Sequence, residues 1–338
     1  MNRRSFLRTA GGAAAMLGAR RALADAANGA AMPRRRLGRT GWDVSVVGFS
    51  GFALKHYEQP RCTEALHRAF DRGVNYFDVA PAYDNGNCEI RMGLGLQGIP
   101  RDRYHLACKT KKRDRDGARE ELERSLERLK TDHFDVYQFH HLVKPDDIAA
   151  ILAPGGAMET VRKAKEQGKV RAIGFSAHTT KGALAALEAF PFDTVMFPVN
   201  YVEWFTRGFA REVVDLAQRQ GAAVLSIKTL NAGAWPQGAE RVRKWWYRTL
   251  EDHDSIGLAL RWTLSLPGVV TCFPPSWLDL QERSIDAALA LRPAVDADAA
   301  HLRAMAEGCG SLFQREEALV ARGRDPGFFY ADAPHAYG

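Results

Sequence analysis

Short apolar runs recur along the chain, separated by amphipathic stretches of helical spacing. The runs are rich in β-branched and aromatic residues: 74-VNYFDVA-80, 104-YHLACKT-110 and 134-FDVYQFH-140, then residues 170–176, 194–200, 223–229 and 269–274. Helical patterns occupy 60–72, 87–97, 116–130, 156–168, 180–189, 208–220 and 255–265. Such short runs between turn signals read as buried strands, and the longer periodic stretches as helices. Upstream, 35-RRLGRTGWDVSVVGF-49 sets two extended runs about a Gly-Arg-Thr-Gly turn, which predicts a hairpin and then a first strand. Eight strands alternating with helices predict an α/β chain folded as a (β/α)8 TIM barrel rather than an open sheet. The rhythm breaks at 231–250, NAGAWPQGAERVRKWWYRTL, and the chain runs on past the eighth helix as a C-terminal extension, 294–338. In a barrel such segments often cover the mouth.

Residues 1–26 read as an address rather than as part of the fold. The run 2-NRRSFLR-8 is followed by a weakly apolar stretch, Thr9 to Ala19, and then by small residues that offer cleavage after Ala24 or Ala26. This order resembles a twin-arginine export signal, which implies the export machinery as a partner and a periplasmic location. The expected organisation is a signal at 1–26 and one barrel domain at 27–338. No apolar stretch approaches the ~20 residues that a membrane-spanning helix needs, so no membrane insertion is expected. Of the formal charge of +7, the five arginines and one aspartate of residues 1–26 account for +4, leaving about +3. The remaining basic residues are scattered, which argues against a nucleic-acid partner. Cys62, Cys88, Cys108, Cys272 and Cys309 are odd in number and lack CxxC spacing, so neither a metal site nor a disulfide framework is expected.

Side chains at the carboxyl ends of barrel strands converge on one mouth. Three consecutive runs end near Asp78, Lys109 and His140, and Tyr83 follows the first of them by five residues. Each alone has an ordinary reading: a buried ion pair for Asp78 and Lys109, a loop aromatic for Tyr83, a core histidine for His140. Together they form a proton-donating constellation. With 76-YFDVAPAYDNGNCE-89, 107-ACKT-110, 135-DVYQFH-140, 172-AIGFSAH-178 and 227-IKTL-230 in order, the chain resembles the aldo-keto reductases over roughly residues 34–290. The resemblance implies a nicotinamide-dependent barrel enzyme in which Tyr83 protonates a carbonyl oxygen as hydride arrives. Lys109, held positive by Asp78, would lower the tyrosine pKa from its ordinary value near 10. His140 would orient and polarise the carbonyl. His141 should face the other side of its strand, unless the chain curls outward after His140.

The resemblance also implies cofactor residues. Ser176 fits the position that holds the nicotinamide carboxamide, although Ala177 and Met196 stand where the family commonly has Asn and Gln, with Asn200 and His178 as substitutes. Lys228 and the backbone from Leu230 to Gly233 would cradle the pyrophosphate. After the eighth strand, 272-CFPPSWLDLQERSID-286 has Pro275 in place of the family's Gly. Its first basic residue is Arg283, a candidate for a 2′-phosphate or an ordinary exposed helix arginine. The cofactor expected is NADP, or NAD, bound tightly enough to be exported with the protein. Residues 93-GLGLQG-98 match a dinucleotide fingerprint, but no strand leads into them, so the match is read as accidental. Trp204, Phe205, Trp235, Trp245, Trp246 and Tyr247 either wall a substrate pocket or pack the insertion onto the barrel. Arg241, Arg243 and Lys244 either attract an acidic substrate or are surface residues. The expected function is an NAD(P)-dependent oxidoreductase acting on a small-molecule aldehyde, ketone or sugar carbonyl. The alternatives are a cofactor-independent lyase or isomerase using the same four residues, and a non-catalytic nucleotide-binding module.

Overall fold

The computed structural model describes residues 31–243 and 245–326. The expected signal at 1–26, Lys244 and the end of the C-terminal extension lie outside the described residues. Strands β1 (Arg34–Arg36) and β2 (Asp43–Ser45) pair antiparallel, as the turn sequence predicts. Gly41, at φ 84°, closes the turn in a conformation that favours glycine. The hairpin brings Leu37 and Val44 against Tyr76, Ala107, Val136 and Ala172, and so plugs the amino-terminal end of the barrel with apolar side chains.

Eight parallel strands follow in chain order: β3 (Phe49–Ser50), β4 (Tyr76–Asp78), β5 (His105–Thr110), β6 (Phe134–Leu142), β7 (Val170–Ala177), β8 (Thr194–Pro198), β9 (Ala223–Ile227) and β10 (Val269–Phe273). Each pairs with its neighbours in sequence, and the seam between first and last is joined by a bridge from Val47 to Cys272. Across it the Gly48 amide donates to the Cys272 carbonyl at 3.0 Å, and the Cys272 amide donates to Val46 at 2.9 Å. A Cβ at Gly48 would stand 2.5 Å from the Phe273 ring, so any larger residue at the seam would force that ring to move. The predicted (β/α)8 barrel is the observed fold.

The outer layer comprises α1 (Gln59–Asp71), α2 (Asn87–Gly95), α3 (Arg115–Leu129), α4 (Pro145–Leu152), α5 (Ala157–Glu166), α6 (Thr180–Ala189), α7 (Tyr201–Arg207), α8 (Arg211–Gln220), α9 (His253–Ser265) and α10 (Leu278–Leu289). The extension adds α11 (Asp296–Ala306) and α12 (Gln314–Ala321). Side chains cap three of these helices: Asp114, Thr179 and Asp252 accept from the amides of Gly117, Gly182 and Ser255. Two short helices, α4 and α7, escaped the periodicity because each spans about two turns. The run 194–200 was expected to be strand throughout, yet β8 stops at Pro198 and the Asn200 side chain caps α7, accepting from Glu203 at 3.1 Å. Among its described residues the insertion 231–250 carries no helix, and it is tied at its base by a bridge between Asn231 and Thr249.

Gly93 and Gly95, of the fingerprint-like run, lie inside α2. A Cβ on Gly93 would come within 2.3 Å of the Arg128 carbonyl, and one on Gly95 within 2.4 Å of Leu66. These glycines serve close packing of α2 on α3 and α1, not a phosphate. Gly93→Ala is therefore expected to lower stability in urea unfolding by about 1–3 kcal/mol, the usual cost of overpacking. An unchanged midpoint would mean that this approach does not set the position of α2.

Candidate active site

Residues two apart in a strand share a face. In β4, β5, β6 and β7 that parity puts Asp78, Lys109, His140 and Ser176 on the same faces as Tyr76, Ala107, Val136 and Ala172, which line the barrel interior. The lower interior is apolar and the upper interior polar. Lys109, with no exposed surface, contacts Asp78 Oδ2 through Nζ and donates to the Val79 carbonyl at 3.1 Å. Gln138, opposite Lys109 in the β5–β6 register, donates to Asp78 Oδ1 at 3.0 Å. Both carboxylate oxygens of Asp78 thus accept hydrogen bonds, the pattern of an ionised acid. Burial lowers the lysine pKa, but its neighbours, Asp78 foremost and Tyr83 after it, together outweigh burial and hold Lys109 above its ordinary value. Burial also raises Asp78, against the pull of Lys109 and Gln138.

Tyr83 stands on the loop that leaves β4, where Asp84 and Asn85 adopt left-handed conformations at φ 51° and 53° and Gly86 follows at φ 89°. Asp, Asn and Gly are the residues that tolerate this geometry, so 83-YDNG-86 encodes the sharp turn that sends the tyrosine back over the barrel. Lys109 Nζ lies 5.0 Å from the Tyr83 ring centroid, and the His140 ring meets Tyr83 edge-on at 5.7 Å. The structure brings all four predicted residues together.

The electrostatics correct one expectation. Tyr83 is not brought below its ordinary pKa: burial pushes it up to about 12, and Lys109 offsets only part of that. Tyr83 is therefore a neutral phenol at any physiological pH, able to donate a proton. His140 is held well below the ordinary imidazole value by burial and by Lys109, Lys111, His141 and Arg113, so it is a neutral imidazole.

These groups open onto a cleft with about 580 Å³ of empty space, part of it open to solvent. Ser176, Met196 and Lys228 line it with Asp78, Tyr83 and His140. Ser176 accepts from the His141 amide at 2.9 Å and keeps its hydroxyl hydrogen to donate. His141 sits at φ 61° where the β6–β7 register shifts, and Arg113 donates to the carbonyls of both His140 and His141. The outward curl thus occurs, and the His141 ring packs edge-on against His178, a cleft residue, at 4.8 Å.

Lys228, at φ 58°, is buried beside His178, with its Nζ 3.4 Å from Nε2 and 5.6 and 5.8 Å from the Trp246 and Phe313 ring centroids. No carboxylate among the described residues is within salt-bridge distance of it, and burial lowers its pKa to about 7. Burying an ammonium without an anion is costly. Its surroundings fit an anionic ligand.

The other predicted cofactor residues do not line the cleft. Asn200 is used as the α7 cap and accepts from Asn231 at 3.1 Å. Leu230 is fully buried, its carbonyl bonded to the Leu250 amide. The Gly233 amide is given to Asn231 Oδ1 at 2.8 Å. Arg283 donates to the Glu251 carbonyl and lies 3.7 and 3.6 Å from the Glu251 and Asp279 carboxylates. In the insertion, Trp245, Trp246 and Tyr247 do line the cleft, whereas Trp204 and Phe205 pack on Trp262. Trp235 braces the insertion by donating to the Trp245 carbonyl at 2.9 Å. Sequence reasoning missed Gln138, a lone amide in an apolar strand two residues before His140. It also missed Phe313 of the extension, for which no sequence signal existed.

A family model described as the aldo/keto reductase family matches residues 46–276. An uncharacterised oxidoreductase of Bacillus subtilis (strain 168) is 32% identical over 157 residues, 43% of this chain and 49% of that protein. The L-galactose dehydrogenase of Arabidopsis thaliana is 28% identical over 215 residues, 59% of this chain and 66% of that protein. The chain thus spans about half to two thirds of these two relatives. The match to the NADH-specific methylglyoxal reductase of Escherichia coli (strain K12) is 24% identical over 329 residues, 82% of this chain and 99% of that protein. Among solved structures, the holo form of an aldo-keto reductase from Bacillus halodurans superposes with a TM-score of 0.64 at 22% identity, covering 85% of this chain and 100% of that one.

The buried pair yields a thermodynamic prediction. Lys109→Met should cost about 3–5 kcal/mol by stranding Asp78, and Asp78→Asn combined with it should recover much of that loss, because no charge is left unpaired. Equal instability of the single and double variants in denaturant titrations would mean that the two residues do not form a charged pair.

Proposed function

The chain belongs to the aldo/keto reductase family, and on that premise we propose that its cleft carries out nicotinamide-dependent reduction of a small-molecule carbonyl, or the reverse oxidation. The observation that carries the reading is the convergence of Tyr83, Lys109, Asp78 and His140 at the floor of one cleft. A nicotinamide cofactor, NADP or NAD, supplies the hydride when bound. Ser176 would hold its carboxamide and Lys228 would meet its diphosphate, since both line the cleft. Met196 and Ala177 offer no amide there, so Ser176 is the side-chain anchor that remains, with His178 beside it.

Tyr83 donates its proton to the carbonyl oxygen as general acid. A neutral phenol with a pKa near 12 releases a proton only if the developing phenolate is stabilised, and Lys109 is placed to do this. Asp78 keeps Lys109 charged, and Gln138 fixes the carboxylate. His140, as a neutral imidazole, gives a ring N–H to the same carbonyl oxygen and orients it without competing as an acid. Phe52, packed on Tyr83 at 5.0 Å, and Trp245 help to exclude water from this corner. Membership of the family supports a small-molecule carbonyl as substrate: an aldehyde, ketone or sugar carbonyl.

Tyr83→Phe is expected to lower turnover of reduced nucleotide with carbonyl substrates by about 10²–10⁴-fold while leaving nucleotide affinity unchanged. Turnover that persists in this variant would contradict the role given to Tyr83, and turnover independent of nucleotide would point to lyase or isomerase chemistry.

The twin-arginine-like segment supports export of the folded, cofactor-loaded enzyme to the periplasm as one domain from residue 27 onward. Replacing Arg3 and Arg4 by lysine should keep the protein in the cytoplasm. Unchanged export of that variant, or a mature amino terminus upstream of residue 25, would rule out this route.

A further inference from the structure

Among the described residues that line the cleft, Lys228 is the one lysine. It follows the end of β9 and keeps only 9% of its surface exposed. An ammonium taken out of water needs an anion in contact, or it sheds its proton. No element packed on Lys228 brings a carboxylate within salt-bridge distance among the described residues. After β7, His178 presents Nε2 at 3.4 Å, and burial, Lys228 and the neighbouring histidines hold that ring well below the ordinary imidazole value, so it is neutral. His141 of β6, edge-on to His178, is neutral too: burial, then Lys111, Arg113 and Lys228, bring it down to about 3.

The insertion and the extension bring rings, with the centroids of Trp246 and Phe313 at 5.6 and 5.8 Å from Nζ. Ring faces at that range stabilise a cation only weakly. The acid that remains is Glu316 of α12, whose field acts on Lys228 and whose own carboxyl is pushed by burial up to about 7. Burial therefore wins, and with a pKa of about 7 roughly half of Lys228 is free amine at neutral pH. Lys109 is the contrast. It is buried as deeply, yet it touches Asp78 and stays charged. One cleft thus holds a fixed ammonium and a neutral amine, and a desolvated neutral lysine is a nucleophile toward carbonyl carbon.

We propose that Lys228 is a second reactive group of this cleft, whose Nζ condenses with small aldehydes to form an imine. The nitrogen lone pair attacks the carbonyl carbon, and the π pair of the carbonyl moves to oxygen. Both hydrogens of the amine then leave with that oxygen as water, and a C=N bond remains. Nothing is oxidised or reduced, so no nucleotide is required. The hydride transfer proposed above and this condensation can each fail without the other.

The test is to treat the protein, without nucleotide, with propionaldehyde and sodium cyanoborohydride, which reduces an imine to a stable secondary amine, and to map the alkylated lysines by peptide mass spectrometry. At pH 7, Lys228 is expected to be labelled at least roughly tenfold faster than the exposed Lys112 and Lys163, although it is far less accessible. Between pH 7 and 9 that ratio should shrink, because exposed lysines gain about tenfold in free amine per pH unit while Lys228 has about a factor of two left to gain. Unfolding in urea should abolish the preference. Lys228→Arg should remove the fast site and leave labelling of Lys112 and Lys163 unchanged; the map of the native chain decides even where that variant does not fold. Labelling of Lys228 no faster than that of the exposed lysines, a ratio that does not move with pH, or a preference that survives unfolding would each overturn the proposal.

Discussion

A buried ammonium touching a buried carboxylate at the upper end of the barrel interior is the interaction on which the rest of the site depends. Lys109 and Asp78 are almost wholly removed from water, where an isolated charge of either sign would be strongly disfavoured. Each is tolerable because the other is present and because Gln138 and the Val79 carbonyl complete their hydrogen bonds. The pair costs solvation and returns little stability. What it provides is a fixed positive charge beneath a phenol, in a place water does not reach.

The barrel makes this arrangement possible through parity and closure. Alternation along each strand lets the same face that packs apolar residues near the hairpin plug carry polar residues at the mouth. Closure at Gly48 and Phe273 fixes the distances between them. Two residues at strand ends, His141 and Lys228, take left-handed backbone conformations that a non-glycine side chain rarely adopts. Both turns occur beside the cleft. Around His141 the cost is offset by bonds from Arg113 to the carbonyls and from the His141 amide to Ser176. The extension sets Phe313 beside Lys228 and His178, anchored where the Glu203 carboxylate accepts from Ser311 and Leu312.

Much of this was legible in the sequence, for physical reasons. The barrel follows from strand and helix periodicity, and Asp78, Lys109 and His140 follow from their positions at strand ends. Tyr83 precedes a run, Asp-Asn-Gly, suited to a reversing turn. The cofactor side was less legible because its candidates depended on loop conformation. Asn200 and Gly233 have the right chemistry, yet local hydrogen bonds use it: a helix cap for one, an Asn231 contact for the other. Arg283 was visible as the first cation after β10, but its partner Glu251 lies 32 residues upstream and no local pattern joins them. The pKa of Tyr83 was misjudged because burial, which depends on the packing of Phe52 and the insertion, outweighs the neighbouring charge.

The state of Asp78 decides whether Lys109 is charged and hence whether Tyr83 has assistance. The most direct measurement is the infrared difference spectrum between the native protein and Asp78→Asn at neutral pH. Loss of carboxylate stretching bands on substitution is the expected result, since Asp78 is ionised beside the ammonium. Loss of a protonated-acid carbonyl band instead would mean a neutral Asp78–Lys109 pair, with no positive charge beneath the phenol, and would contradict the mechanism at its base.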